Sequence, residues 1–289
     1  MKISHIPIIE ITPDSREWPE LLNQLKDPPK QLYYRGTWDA ALFEKSLAVV
    51  GSRRMTGYGQ RVLEMLIPSL VAEGVTIISG FMYGVDTKAH QECLDCGGKT
   101  VAVLGGGLDV LYPPENEKLY EQIVGAHCLI ISEYPPDQQP QLWTFPRRNR
   151  IVAGLSSLGV LIIEAGEKSG SLITAELARK LKKPVFAVPG PITSSACAGT
   201  NKLIKEGRAK MVLNTGDIVS SQGLPLRTQE EALKNPAESN ILDLLAAEPL
   251  TTDEIAHKLS LNIIEISQIL TIMAIKNTIE EENGKYYVI

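Results

Sequence analysis

From Ser46 onward the chain alternates short apolar runs with longer stretches of helical periodicity, which is the pattern of βαβ units. It predicts strands near 47–50 (Leu-Ala-Val-Val), 75–78 (Val-Thr-Ile-Ile), 100–104, 128–131, 158–163, 185–188 and 210–213. Their apolarity is continuous rather than alternating, as in strands covered on both faces. Helices are expected between them, near 57–73, 85–96, 115–124, 147–155, 170–182 and 200–206. The pattern is that of a parallel, doubly wound α/β sheet over residues 45–220, and in such sheets ligands gather beyond the carboxyl ends of the strands.

Residues 1–44 read as an irregular extension that packs on the core. Trp18-Pro19-Glu20-Leu21-Leu22 and Asp27-Pro28-Pro29 punctuate an extended segment around a short helix. Residues 221–235 are polar and proline-containing and read as a linker. Over 236–289, Ile241, Leu242, Leu244 and Leu245 mark one helix, and Ile255, Ala256 and Leu259 a second, capped by Thr251 or Thr252. Ile266, Ile269, Leu270 and Met273 mark a third, and Glu280–Ile289 reads as a hairpin about Asn283-Gly284. Three helices and a hairpin make a winged helix.

With 44% apolar residues the chain is too hydrophobic for disorder, and no apolar run approaches the roughly 20 residues of a membrane-spanning helix. Met1–Glu10 lacks the basic and apolar regions of a secretory signal, so a cytoplasmic location is expected. Four cysteines make no disulfide framework at this length. The net charge of −5 argues against nucleic acid only as an average. Residues 236–289 carry three basic and nine acidic side chains, and residues 1–235 carry 26 and 25. The acidity lies in the C-terminal module.

Three strand-end segments carry candidate chemistry. Gly51-Ser52-Arg53-Arg54, followed by Thr56-Gly57-Tyr58-Gly59 and a helix, can cup an anion between backbone amides and a helix N-terminus. The dinucleotide Gly-x-Gly-x-x-Gly spacing is absent, which disfavours NAD, and no other cofactor is called for. Ser169-Gly170-Ser171 offers a second anion site, its serines capping a helix whose free amides face a ligand. Between them, Trp143-Thr144-Phe145-Pro146-Arg147-Arg148-Asn149-Arg150 joins guanidinium groups for phosphates to flat rings for bases, as single-stranded nucleic acid requires.

Other features point elsewhere. Cys93–Thr100 nearly spells a phosphate-binding loop, but Lys99-Thr100 enters a strand rather than a helix. His90, Cys93 and Cys96 lack the fourth ligand of a structural zinc site, so no metal is expected. Asp86 and His90, one turn apart, read as a helix cap and a core histidine. Glu164, at a strand tip beside the second anion loop, is the most plausible single catalytic carboxylate.

The sequence resembles the DNA-processing protein A family, also called DprA or Smf. The matching blocks include Val49-Val50-Gly51-Ser52-Arg53, Ser79-Gly80 with Gly84-Val85-Asp86, Gly107-Leu108-Asp109, Phe145–Arg150, Glu164-Ala165 with Ser169-Gly170-Ser171, and Gly199-Thr200-Asn201-Lys202. The resemblance implies an extended Rossmann-like sheet with a small C-terminal winged-helix domain. It also implies single-stranded DNA binding, loading of a RecA-type recombinase in natural transformation or recombination, homodimerisation and no enzymatic turnover. Its DNA pocket would be formed by Gly51, Ser52, Arg53 and Arg54 with Phe145, Arg147, Arg148, Asn149 and Arg150. Ser169, Gly170, Ser171 and Lys202 would line the phosphate side. Tyr83 and Pro114 stand where relatives commonly carry cations. The runner-up is a nucleoside-monophosphate phosphoribohydrolase using the same kind of pocket, with Glu176 near its expected acid, although the Pro-Gly-Gly of such enzymes is absent. A transcription regulator with a nucleotide-sensing domain fits the architecture but conflicts with the acidic winged helix, which reads instead as a protein-contact module.

Overall fold

The computed structural model describes residues 6–220 and 236–288, apart from 260, 276, 277 and 283. The chain divides into two compact units, Met1–Leu226 and Arg227–Ile289. The stretch read as linker, 221–235, lies outside the described residues, as do Asn283 of the predicted hairpin turn and Lys276.

The first unit is built on nine strands: β1 (Ile9–Ile11), β2 (Leu32–Gly36), β3 (Ser46–Val50), β4 (Thr76–Ser79), β5 (Thr100–Leu104), β6 (Leu129–Ser132), β7 (Gly159–Ile162), β8 (Val185–Ala187) and β9 (Lys210–Met211). Their order across the sheet is β1-β2-β6-β5-β4-β3-β7-β8-β9, with β2 antiparallel to both β1 and β6 and the other neighbours parallel. The helices are α1 (Ala41–Glu44), α2 (Gly57–Ala72), α3 (Val85–Asp95), α4 (Glu117–Gly125), α5 (Thr144–Leu155), α6 (Ser171–Lys180), α7 (Ala198–Lys205) and α8 (Gly216–Val219). Strand β3 shows why its sequence is apolar throughout. Ala48 and Val50 pack into the core containing Ile151 and Ala175, while Leu47 and Val49 pack into the core containing Leu63 and Ala89 on the opposite face.

Two readings are corrected here. The N-terminal extension is not irregular: β1 pairs with β2, and β2 joins β6 through Tyr33↔Ser132 to Gly36↔Leu129, extending the sheet at its edge. Arg35, polar in the sequence, is 5% exposed because its guanidinium bonds Ile6 O, Leu108 O, Tyr120 Oη and Asp109 Oδ1. Helix α5 begins at Thr144 rather than 147, since Pro146 lies in the first turn, where its missing N–H costs nothing. The arginines therefore follow the helix's first turn, where the macrodipole disfavours cations less.

The second unit holds α9 (Pro236–Ala247), α10 (Thr252–Leu259) and α11 (Ile263–Ile275), followed by the antiparallel pair β10 (Ile279–Glu282) and β11 (Lys285–Val288). It is a winged helix with a core of its own around Ile241, Ile255, Ile266, Leu270 and Ile279. Thr251 and Glu254 cap α10 reciprocally: Thr251 N donates to Glu254 Oε2 at 2.8 Å, and Glu254 N to Thr251 Oγ1 at 3.4 Å. None of the described helices is long and apolar enough to cross a membrane.

Candidate nucleic-acid interface

Strand order reverses between β3 and β7, the point at which a doubly wound sheet opens a crevice. The loops after β3, β4 and β7 meet the start of α5 there and enclose a cavity of about 610 Å³. Small-ligand sites span roughly 300–1,000 Å³. Of the residues singled out from the sequence, Gly51, Ser52, Arg53, Arg54, Phe145, Arg148, Asn149, Ser169, Gly170 and Ser171 line it. Arg147, Arg150 and Lys202 do not. Helical periodicity separates the arginines, because Phe145, Arg148, Asn149 and Val152 share the cavity face of α5 while Arg147 and Arg150 turn to its outer face. Lys202 is exposed on α7.

The structure adds Gly80, Met82, Asp86, Lys168, Ile173 and Thr174 to the lining. Their signal in the sequence was positional, since Gly80 and Met82 follow β4 directly. Gly84, at φ +73°, lets α3 begin against the first loop, where a Cβ would come within 2.4 Å of Ser52 O.

At the cavity mouth Arg53 is exposed, with its guanidinium carbon 5.2 Å from the Phe145 ring centroid. Tyr112 lies beside the same ring at 5.7 Å. In the same cavity, Ser169 Oγ and Ser171 Oγ bond each other at 2.7 Å. The free amides expected at this helix start are largely satisfied: Ser171 N donates to Ser169 Oγ, Leu172 N to Ser169 O and Ile173 N to Gly170 O. Arg54 N is likewise taken by Ser52 Oγ at 3.1 Å. Hydroxyls, Arg53, Arg54 and Lys168, more than a backbone cradle, are thus the groups of the cavity that could take an anion.

Below the mouth, Arg148 is 3% exposed and donates to the carbonyls of Gly80 and Val103, tying the carboxyl ends of β4 and β5 to α5. Burial lowers it to about 10, so it remains a cation at neutral pH. Asp86 is pushed up to about 6 by burial, against the pull of the Arg148 charge. His90 is held down at about 3, again by burial first. Thr100 Oγ1 gives its only proton to Ile77 O, so the 2.6 Å contact to His90 Nδ1 makes that nitrogen the donor of a neutral core histidine.

Glu164 is fully buried and accepts from both Thr56 N, at 2.9 Å, and Thr56 Oγ1, while the Thr56 hydroxyl caps α2 by accepting from Tyr58 N and Gly59 N. It is a helix-anchoring carboxylate and does not line the cavity, which corrects the catalytic reading. Glu176 bonds Arg179 at 2.8 Å and Arg208 at 3.2 Å, also away from the cavity. Among the described residues no group of three or more His, Cys, Asp or Glu could hold a metal ion.

The family model described as DNA recombination-mediator protein A matches residues 10–223 of this chain. The chain belongs to that family. A second model, the DprA winged helix domain, matches residues 225–285. Protein Smf of Synechocystis is 40% identical over 249 residues, which cover 84% of this chain and 62% of that protein. DNA processing protein DprA of Streptococcus pneumoniae is 44% identical over 214 residues, 74% of this chain and 73% of that one. Its X-ray structure superimposes with a TM-score of 0.70 at 39% identity, covering 78% of this chain and 77% of that one. The Helicobacter pylori member, whose structure concerns its single-stranded DNA binding mode, gives a TM-score of 0.67 at 34% identity over 77% of this chain and 98% of that one. Relative to such DprA proteins, the chain spans about three fifths to three quarters of the full length.

Proposed function

We propose that this chain binds single-stranded DNA in the cavity between β3, β7 and α5, protects it, and passes it to a RecA-type recombinase in natural transformation or recombination. The observation that carries this reading is the Arg53–Phe145 stack lining the same cavity as the Ser169–Ser171 hydroxyl pair. A flat ring, a cation and phosphate-seeking hydroxyls in one cavity suit a nucleotide unit of any sequence. Family membership and the H. pylori structure support the same conclusion. Gly51, Ser52, Arg54, Asn149 and Gly170 complete the proposed lining, and a cytoplasmic homodimer is the form proposed to act.

The runner-up, a phosphoribohydrolase, needs a carboxylate at the sugar. Glu164 is committed to Thr56 and Glu176 to two arginines, so the structure offers such chemistry little support. One experiment separates the readings: oligo-dT binding across a salt series for wild type and Arg53→Ala, with free-base release from nucleoside monophosphates followed in parallel. Wild type is expected to bind without base release. Arg53→Ala should weaken binding and flatten the log–log salt slope by about 0.7, the value of one single-strand phosphate contact. Base release at enzymatic rates would replace the mediator with an enzyme.

The winged-helix unit is proposed to contact protein rather than DNA. Its wing exposes Glu280 and Glu281 beside Tyr287 and Val288, a surface that repels phosphate. Each unit buries its own core, so truncation after Asn235 should leave the sheet unit folded and its oligo-dT affinity within about twofold of wild type, by about the ±0.5 kcal/mol of a remote change. Collapse of affinity in a folded, dimeric truncate would make the winged helix a DNA-binding part.

A further inference from the structure

We infer that the outer face of α5 is a second nucleotide subsite, with Asp27 standing where a backbone phosphate would bind. The inference rests on the single-strand reading above. Trp143, Arg147 and Arg150 recur at i, i+4 and i+7, so they form one stripe, on the side of the helix turned away from the cavity-lining residues. Trp143 is 52% exposed, edge-on to Tyr134 with ring centroids 6.0 Å apart. The stripe therefore offers an aromatic platform one turn from a cation.

The polar contacts here are incomplete in a way that points to a ligand. Arg150 is 7% exposed, and its Nη2 is bonded to Glu133 Oε1, yet Nε and Nη1 are buried with no hydrogen-bond partner. Asp27 Oδ2 lies 3.7 Å from Nε, and the same oxygen lies 3.6 Å from Arg147 Nη2. Both distances exceed the 2.7–3.2 Å of a hydrogen bond, so one carboxylate oxygen lies between two guanidinium groups and satisfies neither. A phosphate has several oxygens on different sides and can accept from each arginine separately. Arg147, whose Nε also lies 3.6 Å from the buried and unpartnered Glu133 Oε2, is open to such a group at 46% side-chain exposure, and Asp27 is free to leave, at 69%.

Asp27 does not hold its own segment in place. Leu22 and Leu25 do so by packing against Gly154 of α5, where a Cβ would meet them at 3.2–3.3 Å. Its carboxylate is thus an internal competitor, lowering affinity for a strand that crosses from the cavity to the outer face.

The test is D27N, with D14N as a control that removes an equal charge from another exposed position of the same segment. Binding of dTMP, which occupies one subsite, is compared with that of a dT oligomer of roughly 16 nucleotides, the upper site size of a single-strand module. D27N is expected to tighten the oligomer about two- to fivefold, in line with loss of an exposed ion pair, and to steepen its salt slope by about 0.7. Affinity for dTMP should not change, and the gain should vanish in D27N/R147A. Trp143→Ala should weaken the oligomer alone. If D27N matches wild type or D14N while Arg53→Ala still weakens binding, the second subsite is wrong and the cavity stands. If wild type binds neither ligand, the single-strand reading falls and this inference with it.

Discussion

Phe145→Ala is expected to weaken oligo-dT binding by roughly 5- to 150-fold, the range set by about 1–3 kcal/mol of base stacking. The ring has the Arg53 guanidinium at 5.2 Å and the Tyr112 ring at 5.7 Å, and it fills space left by Gly105, where a Cβ would meet it at 2.7 Å. The substitution therefore removes a stacking surface and also frees Arg53 from its platform. The two effects separate experimentally. Phe145→Leu keeps apolar volume against Gly105 but has no π face, so it should retain the melting temperature and still lose most of the affinity. The double variant with Arg53→Ala should lose less than the sum of the single losses, because the two side chains act on one nucleotide. Wild-type affinity in Phe145→Leu would show that the ring only packs.

That cavity was partly legible in the sequence, for physical reasons visible in single elements. The strands from β3 to β8 were readable because burial on both faces makes each an unbroken apolar run, and the rule that ligands gather at strand ends located Gly51–Arg54 and Ser169–Ser171. Strand β2 was not readable: Leu-Tyr-Tyr-Arg-Gly has neither clean alternation nor continuous apolarity, and Arg35 is buried only because partners from Ile6 to Tyr120 reach it. The arginine cluster was found as a cluster, but its division was hidden. Arg148 is spent on the carbonyls of Gly80 and Val103, while Arg147 and Arg150 face Asp27 and Glu133. Gly80, Val103 and Asp27 lie far away in the chain, and only the fold brings them to α5. Glu164 was misjudged for a related reason. A carboxylate at a strand tip looks catalytic until Thr56 is seen to occupy both of its oxygens.

Arg148→Met should be the most destabilising change at the site, costing about 3–5 kcal/mol and lowering the melting temperature by roughly 6–20 °C. The guanidinium supplies bonds to two buried carbonyls, which methionine leaves unpaired at about 1–3 kcal/mol each. It also supplies the nearby positive charge felt by buried Asp86, both side chains crowding Gly80, whose added Cβ would lie 2.5 Å from Arg148 Nη2 and 2.6 Å from Asp86 Oδ2. This second contribution carries a pH signature. Asp86 titrates at about 6 in the folded protein against 3.8 as a free side chain, so the stability it contributes is fully present below 3.8 and is lost as pH rises through 6. Without the guanidinium the folded value rises further, and the charged form becomes costlier still. The penalty of Arg148→Met should accordingly be smaller at pH 5, where Asp86 is mostly protonated in both proteins, than at pH 8. Adding Asp86→Asn should recover part of the pH 8 loss and remove its pH dependence, leaving the cost of the two carbonyls. Lysine at 148 should rescue little, since one ammonium cannot reproduce the fork that spans β4 and β5. Thermal unfolding of the single and double variants at the two pH values decides the matter. A melting temperature for Arg148→Met within about 3 °C of wild type at pH 8, less than the ~6 °C minimum expected, would return this arginine to the role of a phosphate ligand.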